Sequence, residues 1–89
     1  MLSLPYIREN KELIIKGGEN IAPREIDEAL YSHEDVVEAA AFACKCPQYG
    51  ERVEAAVMLS EGSKVTADIL AELCRAKLGA FKSPDKIHF

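Results

Sequence analysis

Apolar residues recur at helical spacing in two stretches of the chain. The first stretch predicts a helix over residues 23–32. Its buried side is expected to comprise Ile26, Ala29 and Leu30. The second stretch predicts a helix that is capped by Thr66, runs to Leu78 and exits at Gly79. The core-facing side of this second helix is expected to comprise Ile69, Leu70, Leu73 and Cys74.

Alternating apolar and polar residues predict strands in the rest of the chain. Residues 36–44 and 51–59 are predicted to form an antiparallel hairpin with one covered face. Short apolar segments at residues 12–15 and 86–89 predict a first and a last strand. The order strand, helix, strand, strand, helix, strand indicates an α+β fold, in which two helices pack on one side of a small, mainly antiparallel sheet.

A glycine pair, Gly17 and Gly18, lies shortly before the first helix. Adjacent glycines suit a sharp turn, or a close approach of the backbone to another molecule. Pro23 fits the first helical position, so a rigid element follows the pair. The segment is therefore either an ordinary turn or a contact loop. Glu19 and Asn20 could touch a ligand there, or could simply favour the helix start.

Composition narrows the class of protein. The 89 residues, of which 48% are hydrophobic, suffice for one domain with a modest core. A net charge of −4 argues against general binding to nucleic acid or to membranes. The 3 cysteines are odd in number and lack metal-ligand spacing, so we expect no disulfide framework, no metal site and a cytoplasmic location. We expect neither a signal peptide nor a transmembrane segment.

Basic residues concentrate in the last third of the chain, at Arg75, Lys77, Lys82 and Lys86. Such a cluster could meet the phosphates of a nucleotide. It could equally be a solvated helix end whose cations complement the helix dipole.

Three segments, in this order, resemble the mobile C-terminal domain of the adenylate-forming superfamily, which includes acyl-CoA synthetases, peptide-synthetase adenylation domains and luciferases. Residues 11–23 read Lys-Glu-Leu-Ile-Ile-Lys-Gly-Gly-Glu-Asn-Ile-Ala-Pro. Residues 49–51 read Tyr-Gly-Glu, and residues 78–87 read Leu-Gly-Ala-Phe-Lys-Ser-Pro-Asp-Lys-Ile. The Gly-Gly-Glu-Asn-Ile-x-Pro form is most similar to the acyl-CoA synthetase branch.

The resemblance implies a two-step ligase. A carboxylate and ATP, with Mg, give an acyl-adenylate, and coenzyme A (CoA) then displaces AMP. The implied partners are a large N-terminal ATP-binding domain, on which this domain rotates, and CoA; we expect no cofactor to bind this chain tightly. By alignment, Lys11 would be the hinge and Arg75 would lie near the phosphates of CoA. The pantetheine arm of CoA would meet Gly17, Gly18, Glu19 and Asn20.

Two departures from the family pattern bear on how much of the domain is present. Glu9 replaces the arginine usual before the hinge, so residues 1–10 are interpreted as an uncertain segment, either the approach to the hinge or a remnant of a join or an aberrant gene start. Residues 11–89 are interpreted as the lid domain, truncated before the motif that carries the adenylation lysine. We therefore expect no catalytic residue in the chain, and no activity from the chain alone.

Two alternatives remain beside the acyl-CoA synthetase lid. The acceptor could be the phosphopantetheine of a carrier protein, which would need a protein-binding surface on the lid. The chain could also be a non-catalytic interaction module that self-associates through an open strand edge. The carboxylic acid is not specified by the sequence, because the family's acyl pocket lies in the N-terminal domain.

Overall fold

Two helices and five strands make up residues 13–89, which are the residues that the structure, a computed structural model, describes. The helices are α1 (Pro23–Tyr31) and α2 (Ala67–Leu78). The strands are β1 (Ile14–Lys16), β2 (Glu19–Ile21), β3 (Val36–Cys46), β4 (Gly50–Leu59) and β5 (Lys86–His88). The predicted α+β class is confirmed.

The strands divide into two small sheets. β1 and β2 form an antiparallel hairpin in which Ile14 pairs with Ile21. β3, β4 and β5 form the second sheet; β3 and β4 are antiparallel, whereas β5 runs parallel to β4. Strand β2 was not predicted, because the segment that follows the glycines was interpreted as a loop.

Both helices pack on one face of the three-stranded sheet. Ile26 and Leu30 of α1 and Leu70 and Cys74 of α2 are fully buried against that face. The sheet contributes Ala39, Ala41, Val53, Ala55 and Val57 to the same core. The alanine side chains on β3 take up little space. The helices therefore lie close to the sheet, because a protein core leaves few voids.

The helix ends follow the sequence signals. Pro23 is the first residue of α1, and its missing N–H would have had no partner within the helix. The Thr66 side chain accepts a hydrogen bond of 3.3 Å from the Ile69 N–H at the start of α2. The prediction for the core side of α2 was wrong at Ile69, which is 47% exposed. Successive helical residues point about 100° apart, so Ile69 falls outside the stripe centred on Leu70 and Cys74.

Helix α1 closes the outer edge of β3. Asp27 Oδ1 accepts a hydrogen bond of 2.8 Å from the Ala41 N–H, and the Tyr31 hydroxyl accepts one of 3.0 Å from the Ala39 N–H. Tyr31 in turn donates to Glu38 Oε1 at 2.9 Å. Strand edges with free N–H groups are templates for aggregation. At these two positions the edge is already satisfied, which weighs against self-association through β3.

Candidate functional site

The glycine pair forms the turn of the β1–β2 hairpin. Lys16 pairs with Glu19, so Gly17 and Gly18 are the only two residues between the paired positions. Their φ angles are +56° and +84°. A two-residue turn of type I′ requires positive φ at both positions, which L-residues with side chains adopt only under strain. The turn geometry therefore explains why both residues are glycine.

The hairpin is fixed to the turn between β3 and β4. The Gly17 N–H donates to the Tyr49 carbonyl at 3.0 Å. The Ile15 N–H donates to Glu51 Oε1 at 2.7 Å. Two of the three segments that carry the family resemblance, residues 11–23 and 49–51, therefore meet in space.

Lys16 connects the third segment to the same place. Its side chain is buried, and its Nζ donates to the Phe81 carbonyl at 2.9 Å. The ammonium lies 4.5 Å from the centroid of the Phe81 ring and 5.4 Å from that of Tyr49. The two rings meet edge to face, 6.2 Å apart. We call Lys16, Tyr49 and Phe81 the lysine cluster.

The two glycines differ in their surroundings. A Cβ on Gly17 would lie 3.3 Å from Tyr49 Cδ1 and 3.7 Å from Phe81 Cζ, so this residue packs against the lysine cluster. A Cβ on Gly18 would have no heavy atom of the described residues within 4 Å. Glu19 and Asn20 beside it are exposed. The turn thus presents an open stretch of backbone at Gly18, while Gly17 anchors it.

Arg75 lies in the last helical turn of α2. Its guanidinium forms an ion pair with Glu72, and both side chains are largely exposed. Exposed pairs of this kind contribute less than about 1 kcal/mol, so the guanidinium can exchange this partner for a phosphate. Lys82, another member of the basic cluster, pairs with Glu25 at 3.2 Å. The hinge prediction at Lys11 lies outside the described residues.

The local sequence pattern did not predict the contact between Lys16 and Phe81. Strand alternation offered one signal, since Lys16 falls on the same side of β1 as Ile14, which is fully buried. A lysine at an inward position of a strand needs a specific partner. That partner lies 65 residues away along the chain and was not visible from the local pattern.

The other face of the three-stranded sheet carries a polar network around Glu54. Glu54 lies between the core residues Val53 and Ala55 on β4 and therefore faces away from the helices, yet it is only 5% exposed. Glu54 accepts from Arg52 Nε at 2.9 Å and contacts His88 Nε2 at 2.8 Å. Burial by itself raises the pKa of Glu54, but the bonds from His88, Cys44 and Arg52 outweigh it and lower the pKa below its ordinary 4.5.

This lowered pKa predicts a loss of stability in acid. A carboxyl whose pKa is lower in the folded state stabilises the fold above its unfolded value, near pH 4.5, and the contribution disappears as the pH falls through the folded value. Glu54→Gln should cost about 1–3 kcal/mol at neutral pH. Urea unfolding between pH 3 and pH 7 should show the gap between the two proteins closing below about pH 4.5. A gap that stays constant with pH would contradict the role of Glu54.

Cys44 and Cys74 show no feature of a reactive thiolate. Burial, and then the neighbouring Glu54, raise the pKa of Cys44. Burial raises the pKa of Cys74 to about 11. Thiols with raised pKa values stay protonated at neutral pH and are poor nucleophiles.

A groove of about 370 Å³ lies at the far end of β4 from the glycine turn. It is lined by Met58, Leu59, His88, Phe89 and Glu38, among others. Glu38 Oε2 is buried and accepts no hydrogen bond from the described residues. Ile15 on β1 of the glycine hairpin contacts the opposite end of β4, at Glu51, so this groove is separate from the candidate site.

The structure is that of a small α+β domain whose hairpin turn leaves the backbone of Gly18 open. A family model described as the AMP-binding enzyme C-terminal domain matches residues 25–89. The chain belongs to this family. The resemblance to the adenylate-forming enzymes is thereby confirmed.

Known relatives and structures agree with this assignment. The chain is 49% identical over 79 residues to sulfoacetate–CoA ligase from Cupriavidus necator, a match that covers 89% of this chain and 16% of that protein. The fold is similar to that of an acyl-CoA synthetase from Brucella canis, with a TM-score of 0.81 at 32% identity, over 94% of this chain and 16% of that one. An amide bond synthetase from Marinactinospora thermotolerans matches with a TM-score of 0.84 at 32% identity, over 88% of this chain and 16% of that one.

The chain thus spans a small part of the length of the proteins it matches. Within residues 13–89, the helices are too short and too polar to cross a membrane. In the same residues, no group of three or more His, Cys, Asp or Glu side chains is arranged to hold a metal ion.

Proposed function

We propose that the chain is the mobile C-terminal domain of an ATP-dependent, AMP-forming acyl-CoA synthetase in the cytoplasm, and that its glycine turn contacts the pantetheine arm of CoA during thioester formation. The observation that carries this proposal is the open backbone at Gly18, beside a Gly17 that is packed against the lysine cluster. A narrow chain such as pantetheine can run along a backbone that carries no side chain.

The residues around the turn suit this role. Glu19 and Asn20 are exposed on the strand that leaves the turn and can donate or accept hydrogen bonds. Arg75 lies in the last turn of α2, and Phe81 in the segment after this helix accepts a hydrogen bond from Lys16, the residue next to the glycine turn. The Arg75 guanidinium can bind the nucleotide phosphates of CoA. Lys11 is proposed as the hinge.

The domain acts by positioning. Its large N-terminal partner domain would bind ATP, Mg and the carboxylate, and rotation about the hinge would bring the glycine turn to the acyl-adenylate. Such a closure excludes water from a reactive intermediate and orients the incoming thiol. We propose no catalytic residue for adenylation within the chain, so residues 1–89 alone should be inactive.

A second candidate acceptor is the phosphopantetheine of a carrier protein. Tyr49 and Phe81 are 40% and 39% exposed beside the turn, which leaves an apolar rim that a protein surface could cover. The carrier arm shares pantetheine with CoA but lacks its adenosine phosphates. Dependence on Arg75 therefore separates the two acceptors.

Binding of the ligand fragments to the labelled chain tests the proposal. Titrations with CoA, pantetheine and AMP, followed by amide shifts in NMR, should show CoA shifts confined to the glycine turn and to the region of Arg75. Pantetheine should move only the turn. Arg75→Ala should weaken the response to CoA and leave that to pantetheine unchanged. Shifts confined to other surfaces would contradict the proposal.

A chimaera tests the same function in catalysis. Residues 13–89 would replace the matched stretch of sulfoacetate–CoA ligase from Cupriavidus necator, whose own segments on both sides are kept. We expect this chimaera to form both the adenylate and the CoA thioester. A folded chimaera that forms the adenylate but no thioester would contradict the proposed role of the domain.

A further inference from the structure

We propose that Lys16 is a positioning residue that fixes the orientation of the glycine turn through its buried ammonium group. The effect on CoA rests on the function proposed above, whereas the ordering of the turn does not. Lys16 directly precedes Gly17, so the path of its strand sets where the turn points.

The burial of Lys16 is the first observation. Lys16 as a whole is only 5% exposed, although lysine is almost never fully buried unless it is paired. Its inward neighbour on the strand, Ile14, is 0% exposed. An apolar residue could fill the same inward position, so packing alone does not account for a lysine there.

The directional contacts of the ammonium are the second observation. It donates to the Phe81 carbonyl at 2.9 Å and lies over the faces of two aromatic rings, Phe81 and Tyr49. Cation–π attraction grows when the cation is desolvated, as it is here. An ammonium that is held by a carbonyl and two ring faces has few other orientations available.

The third observation is that the same aromatic residues hold the turn itself. Tyr49 accepts the Gly17 N–H at 3.0 Å, and its ring would touch a Cβ placed on Gly17. Lys16 therefore ties together the hairpin, the β3–β4 turn and the segment after α2. Without the cation, Ile14 and Ile21 would still hold the base of the hairpin, because both are fully buried. We therefore expect the loss of Lys16 to loosen the turn and not the fold.

Amide hydrogen exchange on the full 89-residue chain tests this inference. In Lys16→Met, an apolar side chain of similar length replaces the lysine and the charge is removed. The Gly17 amide should exchange at least about tenfold faster in this variant, while the Ala41 amide, bonded to Asp27, should be unchanged. Lys16→Arg should restore most of the protection, because arginine also binds carbonyls and ring faces. Lys64→Met, at an exposed position outside the strands and helices, is the matched control.

Two results would overturn the inference. One is equal protection of Gly17 in Lys16→Met and in the unsubstituted chain. The other is an equal loss of protection at Gly17 and Ala41, which would show general destabilisation.

CoA binding by the same variants supplies a readout that a structural role would not move. The apparent Kd for CoA, taken from the titration of the Gly18 amide shift, should rise about tenfold in Lys16→Met. Lys16→Arg should restore the affinity. If the turn loosens and CoA affinity is unchanged, the effect of Lys16 on CoA is refuted. If the unsubstituted chain gives no CoA shifts, the proposed function loses its support, while the exchange result still decides whether Lys16 orders the turn.

Discussion

Leu70→Ala should lower the free energy of unfolding by about 2–5 kcal/mol, whereas Ile69→Ala should change it by less than about 1 kcal/mol. The two residues are adjacent on α2, but Leu70 is 0% exposed and Ile69 is 47% exposed. Truncating Leu70 leaves a cavity among Leu30 and other core residues. Small domains have total stabilities of about 5–15 kcal/mol, so Leu70→Ala should bring this one close to unfolding.

Urea unfolding followed by circular dichroism measures both variants. The adjacent pair is its own control, since both substitutions place alanine in the same helix and gain the same helix propensity to within a few tenths of a kcal/mol. Equal losses for the two variants would mean that α2 is rotated about its axis relative to the structure described here. A small loss for Leu70→Ala would mean that the core is loosely packed at that position.

Which side of α2 faces the core was not predictable from the sequence. Apolar residues at 69, 70, 73 and 74 fit two overlapping stripes, and periodicity alone does not choose between them. The choice depends on what the helix meets, and the sheet and α1 receive the side with Leu70 and Cys74. The helix ends, by contrast, were predictable from Pro23 and Thr66, because capping is a local interaction.

The candidate site divides in the same way. The glycine pair indicated a tight turn of the backbone. A Gly-Gly pair between short apolar runs is in itself a signal for a two-residue hairpin. Strand β2 was therefore within reach of the sequence, although the segment was interpreted as a loop. The lysine cluster was not within reach, because it joins β1 to two distant turns. The burial of Glu54 likewise depends on Arg52, Cys44 and His88, two of which belong to other strands.

Gly18→Ala should slow thioester formation about 100-fold in the chimaera with sulfoacetate–CoA ligase, and should leave adenylate formation within about threefold. The space around Gly18 is open in the described residues, so an added methyl group would occupy the path proposed for pantetheine. A 100-fold loss corresponds to about 2.7 kcal/mol of transition-state stabilisation. Pyrophosphate release measures the first step, and formation of the CoA thioester measures the second.

Gly62→Ala is the matched control for Gly18→Ala. Gly62 has a φ of +83°, close to the +84° of Gly18, and a Cβ there would also meet no described atom within 4 Å. Both substitutions should cost about 1–2 kcal/mol in backbone strain. Gly62 lies in the turn after β4, at the opposite end of that strand from the glycine hairpin. A fall in thioester formation confined to Gly18→Ala would therefore come from the added methyl group and not from strain.

Gly17→Ala should affect stability more than Gly18→Ala does. Its Cβ would press on Tyr49 Cδ1 at 3.3 Å, so a side chain of the lysine cluster or the turn itself must move. We expect a loss of stability larger than that of Gly18→Ala, measured by urea unfolding, because contact strain adds to backbone strain.

Equal thioester rates in Gly18→Ala and Gly62→Ala would place the thiol path elsewhere on the domain. The glycine pair would then be needed only for the hairpin turn, which was the simpler of the two interpretations of the sequence.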